Sequence, residues 1–382
     1  CGYCKPDEKI AGGIKMKVAV ITRHAITNYG SLLQAFATQR VIENLGYSCE
    51  IIDYVRDDES CRNHAKTLLT GKPEWNRNPI KKILYLALRQ PESIAAGKRF
   101  EKEQKEYLNL SKRYSSQKQL AEEKPIADVY MTGSDQVWGP VGDGSYDSSY
   151  CLLFTDNFDK RIAYAASFGR TEMSPEVEKY FKKWLGRYDF ISVREDSAMT
   201  LLKNMGLKAD QVLDPTLLLD EGFWIRYMSP IKVRNYILVY QIHNNKRVGQ
   251  YAKKVAVSMG LPLIRISSSF HQITREGKFV WCPSVGEFLS YIKNARCLVT
   301  DSFHGTAFAI NFHTPFVEVL PNNNTGTRNI SILNLTGLSG RILDKDDDTT
   351  LAEKSIDFSK TEQILSEKRE ESLATLKKMI EA

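Results

Sequence analysis

The sequence predicts an α/β protein made of two parallel-sheet domains. Short apolar runs such as Lys17–Thr22 and Cys297–Thr300 read as strands covered on both faces. Helix-length segments separate successive strands, the pattern of βαβ units rather than hairpins. The alternation pauses after Val212–Thr216, which reads as the last strand of the first unit, and restarts at Tyr236, so the 382 residues divide into two units, each large enough for its own core.

The first unit opens with a strand at Lys17–Thr22, a turn at Arg23–Gly30, and a helix from about Ser31 to Asn44 that stops at Gly46. A second strand follows at Cys49–Tyr54. The turn lacks the GxGxxG dinucleotide fingerprint and instead holds Asn28, Tyr29, Gly30, Ser31 and Gln34, which serve either as turn and cap or as ligand contacts. Residues 57–125 read as a basic helical insertion, with amphipathic helices over Ile80–Leu88 and Ile94–Leu110. Its Lys81, Lys82, Arg89, Lys98 and Arg99 form either a solvated face or a surface for an anionic membrane or a lipid-linked substrate. The sheet resumes at Asp128–Thr132 and ends in Gly133-Ser134-Asp135, where small residues let a ligand approach the backbone. A strand at Arg161–Ala166 closes with Ser167. The strand Phe190–Val193 runs into Arg194-Glu195-Asp196, where the acids suit a first helical turn and the arginine does not. Arg194 is therefore expected either to hold an anion or to pair with an adjacent acid.

In the second unit, strands at Tyr236–Gln241, Leu261–Ile266, Cys297–Thr300 and Thr314–Val319 alternate with helices at Val248–Met259 and Glu287–Asn294. The stretch from Cys297 to Ile310 is the centre of the sequence. It is a strand, a polar turn and an apolar helix, with Asp301, Ser302 and His304 at the helix N-terminus and Gly305 where the chain bends. Such a turn above the carboxyl end of a strand attracts anions, and its histidine is either a nearby acid or base or a packing residue beside an N-cap. An Asn/Gly-rich loop with Arg328, an acidic turn at Asp344–Asp348 and a long amphipathic helix from about Thr361 to Ile380 complete the chain. The expected boundaries are 1–15 for a flexible leader or cloning remnant, 16–218 and 219–345 for the two domains, and 346–382 for the terminal helix.

Composition narrows the function classes. At 42 % hydrophobic and 26 % charged residues the chain has the make-up of a soluble globular protein. No run approaches the roughly 18 apolar residues of a membrane span. The N-terminus lacks a secretory apolar segment, so the protein is expected in the cytoplasm or peripherally at the inner face of the membrane. The net charge of +7 is scattered, which suits small anions or a membrane-bound substrate as readily as nucleic acid. Cys1 and Cys4 form a lone CxxC without a second ligand pair, so neither a metal nor a cofactor is expected.

With these loops laid out, the sequence resembles the polysaccharide pyruvyl transferase family. The resemblance rests on NYGSLLQAFATQ (Asn28–Gln39), TGSDQVW (Thr132–Trp138), YAASFG (Tyr164–Gly169), SVRE (Ser192–Glu195), VLDPTLLL (Val212–Leu219) and SFHGTAFAINFHTPF (Ser302–Phe316). It implies two Rossmann-like domains facing across a cleft, as in GT-B glycosyltransferases. It also implies transfer of pyruvate from phosphoenolpyruvate, as donor substrate, onto two hydroxyls of one polysaccharide sugar to give a cyclic ketal. The implied partners are phosphoenolpyruvate and a sugar acceptor, free or lipid-linked, and no nucleic acid. His304 matches the family's histidine and is the implied acid, with Asp135 as base or orienter. Arg194 and Arg328, with Ser302, Gly305 and Thr306, are expected to hold the donor. Asn28, Tyr29, Gly30, Gln34, Ser134, Ser167 and Asp301 are expected to line the cleft. Many members carry an arginine two residues before the histidine where this chain has Ser302, which cannot grip an anion bidentately. Either Arg328 substitutes or the donor differs. A GT-B glycosyltransferase using a nucleotide sugar, with Glu318 as its ribose ligand, and a non-catalytic sugar- or phosphate-binding protein are the competing readings.

Overall fold

The computed structural model describes residues 15–142, 144–321, 326–346 and 348–382. Cys1, Cys4 and nearly all of the expected leader lie outside these residues, as does the tip of the Asn/Gly-rich loop.

Seven strands form the first sheet: β1 (Lys17–Ile21), β2 (Ser48–Tyr54), β3 (Leu110–Tyr114), β4 (Val129–Thr132), β5 (Lys160–Ala166), β6 (Phe190–Val193) and β7 (Asp210–Gln211). Their order is β3-β2-β1-β4-β5-β6-β7, and every pairing is parallel. The second sheet holds β8 (Ile237–Tyr240), β9 (Leu263–Ser267), β10 (Lys278–Trp281), β11 (Cys297–Thr300) and β12 (Phe316–Glu318) in the order β10-β9-β8-β11-β12, again all parallel. No strand is shared between the sheets. The central strands β4, β8 and β11 are buried along their whole length, because helices cover both faces.

Strand order reverses between β1 and β4 in one sheet and between β8 and β11 in the other. Ligands of open α/β sheets bind at such switch points, beyond the carboxyl ends of the strands. Asp135 follows β4 and His304 follows β11, so each stands at the switch point of its own sheet.

Several local expectations change. The helix α1 (Tyr29–Asn44) is buried on nearly every side from Tyr29 to Gln39, since it lies between the first sheet and the second domain. The insertion carries one long helix, α2 (Pro79–Tyr107), which continues through Pro91 where two helices were expected. The insertion also contributes the edge strand β3, which its polar sequence LSKRY concealed. Val212–Thr216 is not the last strand. That role falls to β7, and Asp214 instead caps the short helix Pro215–Leu218 by accepting from Thr216 N at 3.0 Å. The terminal helix spans Ser359–Glu381, close to the Thr361–Ile380 that its pattern predicts, and within 346–382 it is preceded by the short helix Thr350–Glu353. It packs back across the first domain: Ser372 Oγ accepts from Leu213 N at 3.1 Å, and Lys160 Nζ donates to Ile380 O at 2.7 Å. Among the described residues no helix is long and apolar enough to cross a membrane.

One apolar core runs through both domains. Tyr29 of the first domain stacks on Phe288 of the second, with ring centres 4.4 Å apart and planes within 9°, and Tyr29 Oη donates to Pro283 O at 2.5 Å. Truncating the fully buried Phe288 to alanine removes that stack and leaves a cavity. We expect Phe288→Ala to lower the unfolding free energy by about 3–5 kcal/mol. We also expect the wild type to melt in one calorimetric transition. Two separate transitions would show that the domains do not share this core.

Candidate functional site

β11 feeds a turn that becomes the helix α3 (Phe303–Asn311). Ser302 caps it, its Oγ accepting from Gly305 N at 3.2 Å. On the other side of the cleft Asn28 caps α1, its Oδ1 accepting from Gly30 N at 2.8 Å and Ser31 N at 3.4 Å. The two helix starts meet: a Cβ placed on Gly30 would stand 2.1 Å from His304 Nδ1. The imidazole therefore sits between the positive ends of two helices, a setting that favours a bound anion and disfavours a charged imidazole.

Around His304 the first domain supplies a dense ionic cluster. Arg194, at the end of β6, donates to Asp214 Oδ2 at 2.5 Å and to Ser134 Oγ at 3.1 Å. Its Nη2 lies 3.4 Å from Asp135 Oδ1, and its Nε lies 3.6 Å from Glu195 Oε2. Arg328, in the helix α4 (Thr327–Leu335), brings Nη1 to 3.9 Å from the same oxygen of Asp135. The Phe303 ring lies beneath both guanidinium groups, 4.4 Å from Arg194 and 6.0 Å from Arg328. His304 Nε2 is 3.8 Å from Asp214 Oδ2, too far for a hydrogen bond. Asp135 adopts φ 79°, in the left-handed region, and is fixed there by Ser31 Oγ, which donates to its Oδ2 at 2.6 Å, and by a backbone bridge to Ala166.

Burial and mutual charge set the protonation of the cluster. Burial drives the His304 pKa down to about 4, with Arg194 and Arg328 adding to the effect and Asp214 and Asp135 opposing it, so the imidazole is neutral at pH 7. Burial pushes Asp135 and Asp214 up, but Arg194 and His304 outweigh it and hold both carboxyls below their ordinary range. Burial lifts Glu195 above the ordinary range despite Arg194 and the bond from Ser167. Burial and the neighbouring Arg194 lower Arg328 to about 10.

Four buried polar atoms here have no hydrogen-bond partner among the described residues: Arg194 Nε, Glu195 Oε2, His304 Nε2 and Arg328 Nε. Buried polar groups are normally satisfied, so their concentration in one place marks a site built for a polar ligand. The ligand chemistry it fits is anionic, with two arginines, a titratable imidazole and two helix N-termini.

The residues expected from sequence divide into two groups. His304, Asp135, Arg194, Arg328 and Ser134 come together in the cluster, and Ser167 joins them by donating to Glu195 Oε1 at 2.6 Å. The others support the fold around it. Asp301 accepts from Ile242 N at 2.7 Å and His243 N at 3.1 Å, so it fixes the loop after β8 and does not reach His304. Gln34 donates to Thr22 Oγ1 at 2.9 Å, while Tyr29 bridges the domains. Thr306 contacts Ser302 O and Glu318, and Gly305 is required by Thr300 Oγ1, which would lie 2.7 Å from a Cβ. Glu195 meets the expectation that Arg194 pairs with an adjacent acid, whereas Asp214 is a cluster member that sequence reading assigned elsewhere. The Asp-Pro pair at Asp214 was the available signal, since it marks a helix start rather than a strand. Among the described residues no group of three or more His, Cys, Asp or Glu side chains is placed to hold a metal ion.

Comparison with known proteins fixes the family. The family model for polysaccharide pyruvyl transferase matches residues 28–324, most of the chain. The chain belongs to that family. No curated protein matches it. Among solved structures, it is similar to a putative UDP-N-acetylglucosamine 2-epimerase from Listeria monocytogenes. The identity is 12 %, the TM-score 0.51, and 97 % of this chain and 92 % of that one are covered. The UDP-GlcNAc 2-epimerase of Methanocaldococcus jannaschii gives 15 % identity and a TM-score of 0.47 over 93 % of this chain and 94 % of that one. Arabidopsis thaliana UGT89C1 complexed with quercetin gives 11 % and 0.49 over 96 % and 99 %. At these identities the likeness concerns the fold, which is GT-B, with two parallel-sheet domains. As a pyruvyl transferase family member, the chain places the histidine of its SFHG motif inside the ionic cluster, in contact with Gly30 of its NYG motif.

That contact is testable. Gly30→Ala puts a methyl group where the imidazole stands, so the ring must move. We expect turnover to fall by about two orders of magnitude with little change in melting temperature. Unchanged turnover would show that the position of the ring is not needed.

Proposed function

We propose that this pyruvyl transferase takes its pyruvyl group from phosphoenolpyruvate and delivers it to two hydroxyls of one polysaccharide sugar, forming a cyclic ketal. The observation that supports this most directly is the unpartnered Nε2 of His304 beside the unpartnered Nε atoms of Arg194 and Arg328. An enol phosphate with a carboxylate needs that combination: cations for two anionic groups and a proton donor for its methylene carbon.

In this reading Arg328 and Arg194, aided by the positive ends of α1 and α3, hold phosphate and carboxylate. The incoming negative charge raises the pKa of His304, which takes up a proton. His304 then protonates the methylene carbon, the double-bond electron pair forming the new C–H bond. The neighbouring carbon becomes cationic and is attacked by the first sugar hydroxyl, whose proton returns to the now neutral imidazole. The C–O bond to phosphate breaks, the second hydroxyl adds, and its proton leaves with inorganic phosphate. Asp135 is held ionised by Arg194 and is a weak base, so its role is to orient the acceptor hydroxyl. Arg328 takes the part of the arginine absent at Ser302, because its Nε is unpartnered whereas Ser302 is used as a helix cap.

The nucleotide-sugar reading is weakened by Glu318. Both of its carboxyl oxygens are engaged, one by Thr306 Oγ1 and the other by Asn329 Nδ2 at 2.8 Å, and burial raises its pKa to about 8. A neutral, enclosed carboxyl cannot grip a ribose.

Two measurements test the proposal. Phosphoenolpyruvate is expected to raise the melting temperature and UDP-GlcNAc to leave it unchanged. His304→Gln, which keeps the side-chain size without an ionisable group, is expected to stay folded and lose at least about 100-fold in phosphate release with acceptor polysaccharide. Near-normal turnover in that variant would end the assignment of His304 as the acid.

A further inference from the structure

The first half of α2 exposes what a helix normally buries. Ile80, Ile83, Leu84 and Leu88 are 79, 69, 50 and 68 % exposed. Their spacing at i, i+3, i+4 and i+8 puts them on one face across three turns, joined by Ala87 and Pro91. Lys81 borders this face, while Lys82 lies on the opposite side of the helix, and both are exposed. From Arg62 to Arg89 there are seven basic side chains and one acidic, which carries most of the chain's net charge of +7.

We propose that this face docks on an anionic lipid bilayer, with α2 lying in the interface, Lys81 against the lipid headgroups and the rest of the basic segment close to them. A contiguous apolar stripe bordered by Lys81 within a strongly basic segment matches a surface whose apolar interior lies under negative charge. A second copy of the chain fits less well, because a self-pairing face would bring two strongly basic surfaces together. The other half of α2 has a different task, which narrows the docking surface. Arg89 pairs with Glu92 at 3.1 Å, while Arg99 donates to Cys282 O at 3.2 Å and stacks over Trp281. Phe100 packs on Tyr29, whose chain neighbour Gly30 touches His304. Leu88 and Phe100 are twelve residues apart on one helix, about 18 Å of rise, so docking would hold the ionic cluster close to the membrane. The inference rests on the exposed face and does not depend on the donor or the reaction.

The test is co-sedimentation of the full chain with vesicles of phosphatidylcholine alone and of equal parts phosphatidylcholine and phosphatidylglycerol. The wild type is expected to bind only the anionic vesicles and to be released by salt. Leu84→Ser with Leu88→Ser, and separately Lys81→Glu with Lys82→Glu, are each expected to lower partitioning at least about tenfold with the melting temperature unchanged. The charge variant alters only exposed lysines, so it decides the matter if the leucine variant is unstable. Failure of the wild type to bind anionic vesicles would overturn the proposal, as would binding that neither variant weakens. A dimer in sedimentation velocity that the leucine variant dissociates would assign the face to a second copy and overturn it as well.

Discussion

A single buried guanidinium, Arg194, is the constraint around which the site is arranged. An unpaired cation at that depth costs several kcal/mol, so the chain surrounds it with Asp214, Asp135 and Glu195, drawn from three different places along the first domain. Arg194 therefore decides where β4, β6 and the Pro215–Leu218 helix end relative to one another. It also fixes what is left over. With three acids gathered on one arginine, Arg328 shares only one oxygen of Asp135 with it, and His304 finds no carboxylate within hydrogen-bond range. The groups left underused are those that an anionic ligand would occupy.

The second domain completes the site through packing as well as through Arg328 and His304. Tyr29 stacked on Phe288 holds the start of α1 against the second domain, and this sets Gly30 at contact distance from the imidazole. Only glycine fits there, because a methyl group would overlap the ring. Two helix N-termini thus face each other across His304, each at the switch point of its own sheet. Stability of the domain junction and placement of the titratable group come from adjacent residues, Tyr29 and Gly30.

Much of this was legible in the sequence, for physical reasons that also explain what was not. Loops that follow buried parallel strands betray themselves by an abrupt change from apolar to small and polar residues, and so Asp135, Arg194 and His304 stood out. Arg194 was conspicuous because a cation sits badly at a helix start. Glu195 was legible only as one of the two adjacent acids that Arg194 could pair with, since an acid at that position already has a reason to be there. Asp214 was hidden because Val212-Leu213 looks like a strand end, whereas its carboxylate both caps a helix and pairs with Arg194. The edge strand β3 escaped notice because its LSKRY lacks the apolar run of central strands, and β10 because its run Phe279-Val280-Trp281 is only three residues long. Asp301 shows the converse. Its position beside His304 in sequence suggested chemistry, but two backbone N–H groups of the loop after β8 claim its carboxylate.

The central claim is that an imidazole kept neutral by burial becomes charged when an anionic donor arrives. Its pKa of about 4 in the free protein means that any proton it carries in the complex must be taken from solvent on binding. Between that value and the raised pKa of the complex, donor affinity must fall as pH rises, by up to about tenfold per unit. Isothermal titration calorimetry of phosphoenolpyruvate binding at pH 7, repeated in buffers of different ionisation enthalpy, counts those protons directly. Uptake approaching one proton per donor in the wild type and none in His304→Gln is the expected result. Binding without proton uptake, or with the same uptake in the variant, would contradict it.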